Sequence, residues 1–255
     1  MITKVKNTKT VEALFDGWEE SLIWSCLQGV MGEIYTDNEE QPTCAMAILG
    51  DFCYFAGKPN AELVAYKPEN CQKEFIIMVP ENDAWANLIE KCYPEKAKKV
   101  ERYAIKTEQD IFDKENLLQI MNALPDGYTL HFIDETLFSQ CQKKLWYNDF
   151  VAQYKDYAQY QELGLGVVCM KNGEIVSGAS SYSGYIGGIE IEVDTKEEYR
   201  RIGLASACAA KLILECLNRK WYPKWDAQNK WSVGLAEKLG YHYSHTYTSY
   251  EIWGY

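Results

Sequence analysis

Apolar positions in the second half of the chain change period several times, and each change marks a predicted element. Ala205, Cys208, Ala209, Leu212, Ile213, Cys216 and Leu217 step alternately by three and one, which predicts an amphipathic helix over 204–219. Arg219 and Lys220 follow, where the negative end of a helix dipole favours cations. Upstream, β-type runs predict strands at 128–133, 166–171, 174–183 and 186–194, with helices covering about 135–160 between the first two. Asn172-Gly173 is a two-residue hairpin signal joining 166–171 to 174–183. A loop over 195–203 leads into the long helix, and a strand at 221–226, a helix at 230–239 and a strand at 241–253 complete the order.

The first half alternates similarly. Helices are predicted at 10–17 and 19–27, strands at 30–36 and 43–56 with a turn near Gly50-Asp51, and a helix at 60–70. A strand at 74–79, a helix at 82–92, a strand at 100–106 and a helix at 110–123 follow. This predicts an α/β or α+β layer with both faces covered. Leu124-Pro125-Asp126-Gly127 is a turn-forming run, and the expected division is an N-terminal α/β domain over 1–125 and a second domain over 126–255.

Charge separates the halves. Residues 1–126 carry 13 Lys+Arg against 22 Asp+Glu, whereas 127–255 carry 13 against 15. An overall charge of −11 argues against a nucleic-acid groove, which needs clustered cations. The nearly neutral second half is the easier home for a polyanionic ligand. Nine cysteines with no C-x-x-C pair fit free thiols in a reducing compartment, and with only three histidines no metal site is expected. No run approaches the length of a membrane helix, and the polar start lacks the apolar core of a secretory signal, so a cytoplasmic location is expected.

One segment carries candidate chemistry. Arg200-Arg201-Ile202-Gly203-Leu204-Ala205 lies between a predicted strand and a predicted helix. Such a loop aims unpaired backbone N–H groups at one point and suits a phosphate or pyrophosphate. Gly203 permits close backbone approach, Ala205 keeps the first turn open, and two arginines add positive charge. On spacing alone a plain surface turn fits as well.

Arg200-x-x-Gly203-x-Ala205 resembles the pyrophosphate motif of the Gcn5-related N-acetyltransferase (GNAT) superfamily. A second resemblance follows in Trp225-Asp226-Ala227-Gln228-Asn229, Ser232 and Leu235-Ala236-Glu237-Lys238-Leu239-Gly240-Tyr241. The similarity covers about residues 126–255. More loosely, 32–37 and 50–57 resemble the amino-terminal part of a bacterial two-part GNAT subfamily that includes an antibiotic self-resistance acetyltransferase. The implied fold is a mixed, mostly antiparallel central sheet flanked by helices, with the first half a possible degenerate copy. The implied activity is transfer of an acetyl group from acetyl-CoA to a primary amine of a small molecule, directly within a ternary complex.

Position by position, the resemblance gives the pyrophosphate to the amides of Arg201, Ile202, Gly203, Leu204 and Ala205, with Arg200 flanking. Backbone pairing with pantetheine falls to Val193 and Thr195, and Asn229 and Ser232 face the cofactor. Asn229 suits a helix N-cap equally. A backbone N–H near Val193 would polarise the thioester. For the general base, Glu190 and Glu192 share one strand face; Glu192 is the first choice and Asp226 the second. Where the family often has a tyrosine acid this chain has Ala236, which leaves Tyr199, Tyr241 or water. The aromatic run Trp146, Tyr147, Phe150, Tyr154, Tyr157 and Tyr160 reads first as packing, with an acceptor-pocket role beside it. A non-catalytic CoA-binding or interaction module is the alternative reading. The sequence leaves monomer and homodimer equally open.

Overall fold

The computed structural model describes residues 1–69, 71, 74–143 and 145–255. Two compact units emerge, one formed by Met1–Arg102 with Thr246–Tyr255 and the other by Tyr103–His245. Each is a mixed sheet flanked by helices.

In the first unit the elements are β1 (Thr3–Lys4), α1 (Ser21–Gln28), β2 (Glu33–Thr36), β3 (Cys44–Leu49), β4 (Phe52–Gly57), α2 (Ala61–Val64), β5 (Phe75–Pro80), α3 (Asp83–Cys92) and the start of β6 (Ala97–Ile105). Strands β1 to β4 form an antiparallel run, β4 and β5 are parallel, and the end of the last strand, β13 (Tyr243–Trp253), pairs antiparallel with β5. Met46, Phe55, Met78, Trp85 and Tyr250 pack together in its core. The Trp85 indole stacks on Phe55 and donates to the Gly57 carbonyl at 2.9 Å, so a buried N–H is satisfied where the ring fills the core.

The second unit holds α4 (Lys114–Asn122), β7 (Thr129–Phe132), α5 (Glu135–Cys141), a 3-10 segment (Leu145–Phe150), α6 (Tyr157–Leu163), β8 (Gly166–Lys171), β9 (Glu174–Tyr185), β10 (Gly188–Thr195), α7 (Leu204–Asn218), β11 (Tyr222–Lys224), β12 (Asp226–Ala227) and α8 (Lys230–Lys238). Its sheet runs β11-β10-β9-β8-β7, antiparallel except for the β10–β11 step. Asn172 and Gly173 both take positive φ, the backbone a tight hairpin demands, and they join β8 to β9 as the sequence predicts. Cys208, Ala209, Leu212, Ile213 and Cys216 of the α7 stripe are buried with Val167, Ala179, Ile189 and Ile191, while Ala205 and Leu217 at its ends are half-buried.

The units do not part at the 124–127 turn. Helix α4, expected in the first domain, packs on α7 in the second unit, and the final strand supplies the first unit's sheet. Turn chemistry is local, whereas strand partnership is decided by residues far away in sequence.

Shorter elements also depart from the periodicity. The predicted helix at 10–17 is two 3-10 turns, Thr8–Thr10 and Glu12–Phe15, ending at Gly17 with φ +85°. The helix at 60–70 is a single turn, Ala61–Val64, ahead of Pro68; its predicted end at Asn70 lies outside the described residues. The helical stretch at 135–160 is broken into α5, the 3-10 segment and α6, and Lys144 within it lies outside the described residues. Tyr147, Phe150, Tyr154 and Tyr160 from this stretch are buried. Tyr154 and Tyr160 bond the hydroxyls of Ser181 and Ser180 on β9, so packing is the role the structure gives these rings.

Phe150 lies against β9 so closely that a Cβ at Gly178 would meet its ring at 2.5 Å. Gly178→Ala is expected to destabilise the protein by about 1–3 kcal/mol through overpacking. A urea unfolding midpoint unchanged from wild type would show instead that the ring can yield.

Candidate active site

Among the described residues, the second unit's one parallel strand pair opens part-way along its length. β10 and β11 are in register at Gly188–Tyr222, Ile189–Pro223 and Glu190–Lys224; beyond that, β10 continues to Thr195 on β9 alone. The cause is a competing set of attachments. The buried Lys224 ammonium donates to the Ile105 carbonyl at 3.0 Å and the Thr107 hydroxyl at 2.6 Å. The Tyr222 hydroxyl receives the Glu108 N–H at 3.1 Å, and β12 pairs with Tyr103 and Ala104. These bonds draw the chain after Glu190's partner away from β10. On the other side, a register irregularity against β9 at Glu190/Ile191 marks a local bend.

Alternation along β10 decides which backbone groups face the opening. Lys196 N–H donates to the Val176 carbonyl on β9, so two-residue steps place the N–H and C=O of Val193 and Thr195 on the opposite side. Thr195 is already engaged: its N–H donates to the Asp194 carboxylate at 2.7 Å, and its carbonyl accepts from Arg200 Nε at 3.0 Å. Val193 is therefore the better placed of the two for a ligand in the gap. Burial raises the Asp194 carboxyl above its usual range, against the nearby Arg200 guanidinium, whose Nη2 lies 3.8 Å away.

Next to the gap stands the N-terminus of α7. Helices α2 to α6 and α8 all start on an Asn or Asp whose side chain accepts from first-turn amides. α7 starts on Gly203 instead, with no side-chain cap and no acidic residue in its first turn. Ala207 N–H is bonded to the Gly203 carbonyl, while Leu204, Ala205 and Ser206 precede it in the turn whose amides have no helical acceptor. Arg201 and Gly203 both adopt left-handed backbone, φ +66° and +90°. A Cβ at Gly203 would project into open space, so glycine is required there by its φ and the ground before it is clear.

Cations gather at this end. Arg200 and Arg201 are exposed, and Lys238 Nζ reaches the Ser206 hydroxyl at 3.2 Å. Positive side chains at the positive end of a fifteen-residue helix are unfavourable by themselves. An anion seated on the loop would attract both the helix end and each cation, and so offset that repulsion. Lys238 was not legible as a loop residue, since it lies at the far end of α8 and comes to Ser206 only through packing.

The first unit supplies an internal control. Its β4–β5 step is also parallel but stays in register from Phe52–Ile77 through Phe55–Pro80. Asn60 caps α2 by accepting from the amides of Glu62 and Leu63, and Glu62 puts a carboxylate into that first turn. The equivalent corner thus has neither a gap nor an uncapped helix.

Other predicted positions take structural partners. Asn229 caps α8 by accepting the Ser232 N–H at 3.0 Å, and the Ser232 hydroxyl accepts the buried Trp225 indole N–H at 3.0 Å. Asp226 lies on β12 opposite Ala104, on the strand that has left β10. Burial separates the two candidate glutamates: Glu190 is buried and Glu192 is partly exposed. Ala236 is fully buried, and the tyrosines near Glu190 are committed elsewhere. Tyr241 donates to the Pro223 carbonyl at 2.7 Å and Tyr185 to the Tyr222 carbonyl at 3.1 Å. Burial, with the Glu190 charge adding to it, raises both phenols well above their ordinary range. Tyr199 packs edge-on against Tyr128, with Lys171 and Lys196 over its ring. Among the described residues no cluster of His, Cys, Asp and Glu could hold a metal ion.

Comparison with known proteins agrees with this geometry. A family model described as GNAT acetyltransferase matches residues 12–250. The chain is 25% identical to the uncharacterized N-acetyltransferase YdfB of Bacillus subtilis (strain 168), over 98% of this chain and 97% of that one. A crystal structure of a GCN5-related N-acetyltransferase-like protein from Streptococcus suis 89/1591 superposes with a TM-score of 0.91 at 43% identity, covering 97% of this chain and 98% of that one. A tandem GNAT protein from the clavulanic acid biosynthesis pathway shares the fold at 9% identity, with a TM-score of 0.58 over 100% of this chain and 99% of that one.

Because the Ser232 hydroxyl is the acceptor for a buried indole N–H, Ser232→Ala is expected to cost about 1–3 kcal/mol of stability. Thermal unfolding followed by tryptophan fluorescence tests this; an unshifted midpoint would release Ser232 for a ligand-facing role.

Proposed function

We propose, for a chain that belongs to the GNAT acetyltransferase family and is an acyltransferase enzyme, that the second unit binds acetyl-CoA and transfers the acetyl group to a primary amine of a small molecule. The observation that carries this reading is the uncapped N-terminus of α7 beside the parted β10–β11 pair. The amides from Arg201 to Ala205 would hold the pyrophosphate, with Arg200, Arg201 and Lys238 supplying positive charge. Val193 would pair with the pantetheine arm through its outward N–H and C=O, as an added strand edge would. Thr195, Asn229 and Ser232, whose polar groups serve the protein itself, would line the site by shape.

When bound, acetyl-CoA supplies an activated thioester; the protein's own residues supply orientation and proton transfer. An acceptor ammonium must lose a proton before its nitrogen is nucleophilic. Glu192, partly exposed on β10, would receive that proton, with Asp226 the second candidate. A backbone N–H near Val193 would stabilise the oxyanion that develops at the carbonyl. With Ala236 buried where the family often has a tyrosine, and with Tyr185 and Tyr241 donating to main-chain carbonyls, solvent is the natural proton source for the departing thiolate.

The nine free cysteines fit a reducing compartment, which supports a cytoplasmic location, and among the described residues no helix is long and apolar enough to cross a membrane. The buried Ala236 also suits the non-catalytic CoA-binding module. Transfer to an amine in the test below would rule that module out.

Isothermal titration with acetyl-CoA is expected to give one site per chain, since the first unit's corner is closed and capped. Gly203→Glu should abolish binding while circular dichroism stays native-like; unaltered affinity would remove the ligand from this loop. In an amine-acceptor screen, Glu192→Gln should lower kcat by roughly 10²–10⁴-fold without weakening acetyl-CoA binding. An unchanged kcat would move the base elsewhere.

A further inference from the structure

Trp231, in the first turn of α8, is 82% exposed. A singly exposed aromatic side chain is ordinary on a protein surface, so what stands beside Trp231 decides its meaning. Its one described ring partner is a cation: the Arg201 guanidinium carbon lies 5.9 Å from the indole centroid. Arg201 holds that place from a left-handed backbone conformation, unusual for a residue with a Cβ, within the loop that ends at Gly203. Ile202, next along, is 44% exposed and adds apolar surface to the same loop.

Helix geometry sets Trp231 apart from the packed side of α8. Asn229, Ser232 and Ala236 stand three and seven residues apart on one stripe of α8, and Trp231 lies off it. An indole with a guanidinium on its face, beside an anion-binding loop, calls for a planar π-system joined to a phosphate chain. A purine base of a nucleotide has that chemistry: it stacks on the indole, and the guanidinium serves the ring and the adjoining phosphates together.

We propose that Trp231 and Arg201 form the platform for the adenine of the acyl donor. The site would then select a CoA thioester over the adenosine-free phosphopantetheine arm carried by an acyl carrier protein. This rests on the acetyl-CoA reading above and adds to it the class of donor.

Calorimetric titration of wild type, Trp231→Ala and Trp231→Phe with CoA and with 4′-phosphopantetheine tests the proposal. Trp231→Ala is expected to weaken CoA by roughly tenfold or more, the scale of base–aromatic stacking. Trp231→Phe, which keeps a ring, should retain most of the affinity, and 4′-phosphopantetheine should bind all three proteins alike. CoA binding unweakened in Trp231→Ala, or both ligands weakened equally, would overturn the platform while leaving the acetyl-CoA reading intact. Failure of the wild type to bind CoA would instead overturn that reading and the platform with it.

Discussion

The parting of β10 from β11 is the constraint on which the rest of the site depends. A parallel pair normally satisfies the inner backbone groups of both strands, and leaving them without partners is costly in a protein interior. Here the cost is offset locally. Lys224, Tyr222 and β12 bond to the 103–108 segment, and the Asp194 carboxylate and Arg200 guanidinium take up the groups of Thr195. What remains open is confined to the stretch around Val193. The gap is thus a built feature of the sheet, held by side chains with other work to do.

Electrostatics reinforces this reading. Elsewhere in the unit, helices α4, α5, α6 and α8 start on a carboxylate or amide cap, which cancels the positive end of the peptide dipoles. At α7 the cap is absent and three cations approach instead. Such an arrangement is poor for an empty protein and good for one that binds an anion. The first unit repeats an antiparallel run followed by a parallel step, yet its β4–β5 pair stays closed and α2 is capped. Fold alone, then, does not confer the site; the opened pair and the uncapped helix do.

Much of the second unit was legible in the sequence. The three-one stripe of α7, the Asn172-Gly173 hairpin and the strand order around them are governed by local periodicity and turn chemistry. The Arg200-x-x-Gly203-x-Ala205 segment marked the start of α7 at Gly203 for the same reason, since a helix start depends on a few contiguous residues. The first half was harder to read. Its predicted helix at 10–17 became two 3-10 turns and that at 60–70 a single turn, because apolar spacing over so few residues does not outweigh the nearby Gly17 and Pro68.

By itself the sequence determined most elements of the second unit and the glycine-started loop before α7, both products of interactions between near neighbours. Only the tertiary structure decided which strand leaves which. It also separated Glu190 from Glu192 by burial, gave Ser232 to the Trp225 indole, and brought Lys238 to Ser206 and Arg201 to Trp231. Those choices, and the passage of the chain's last strand into the first unit, depend on packing between residues distant along the chain. No local period encodes them.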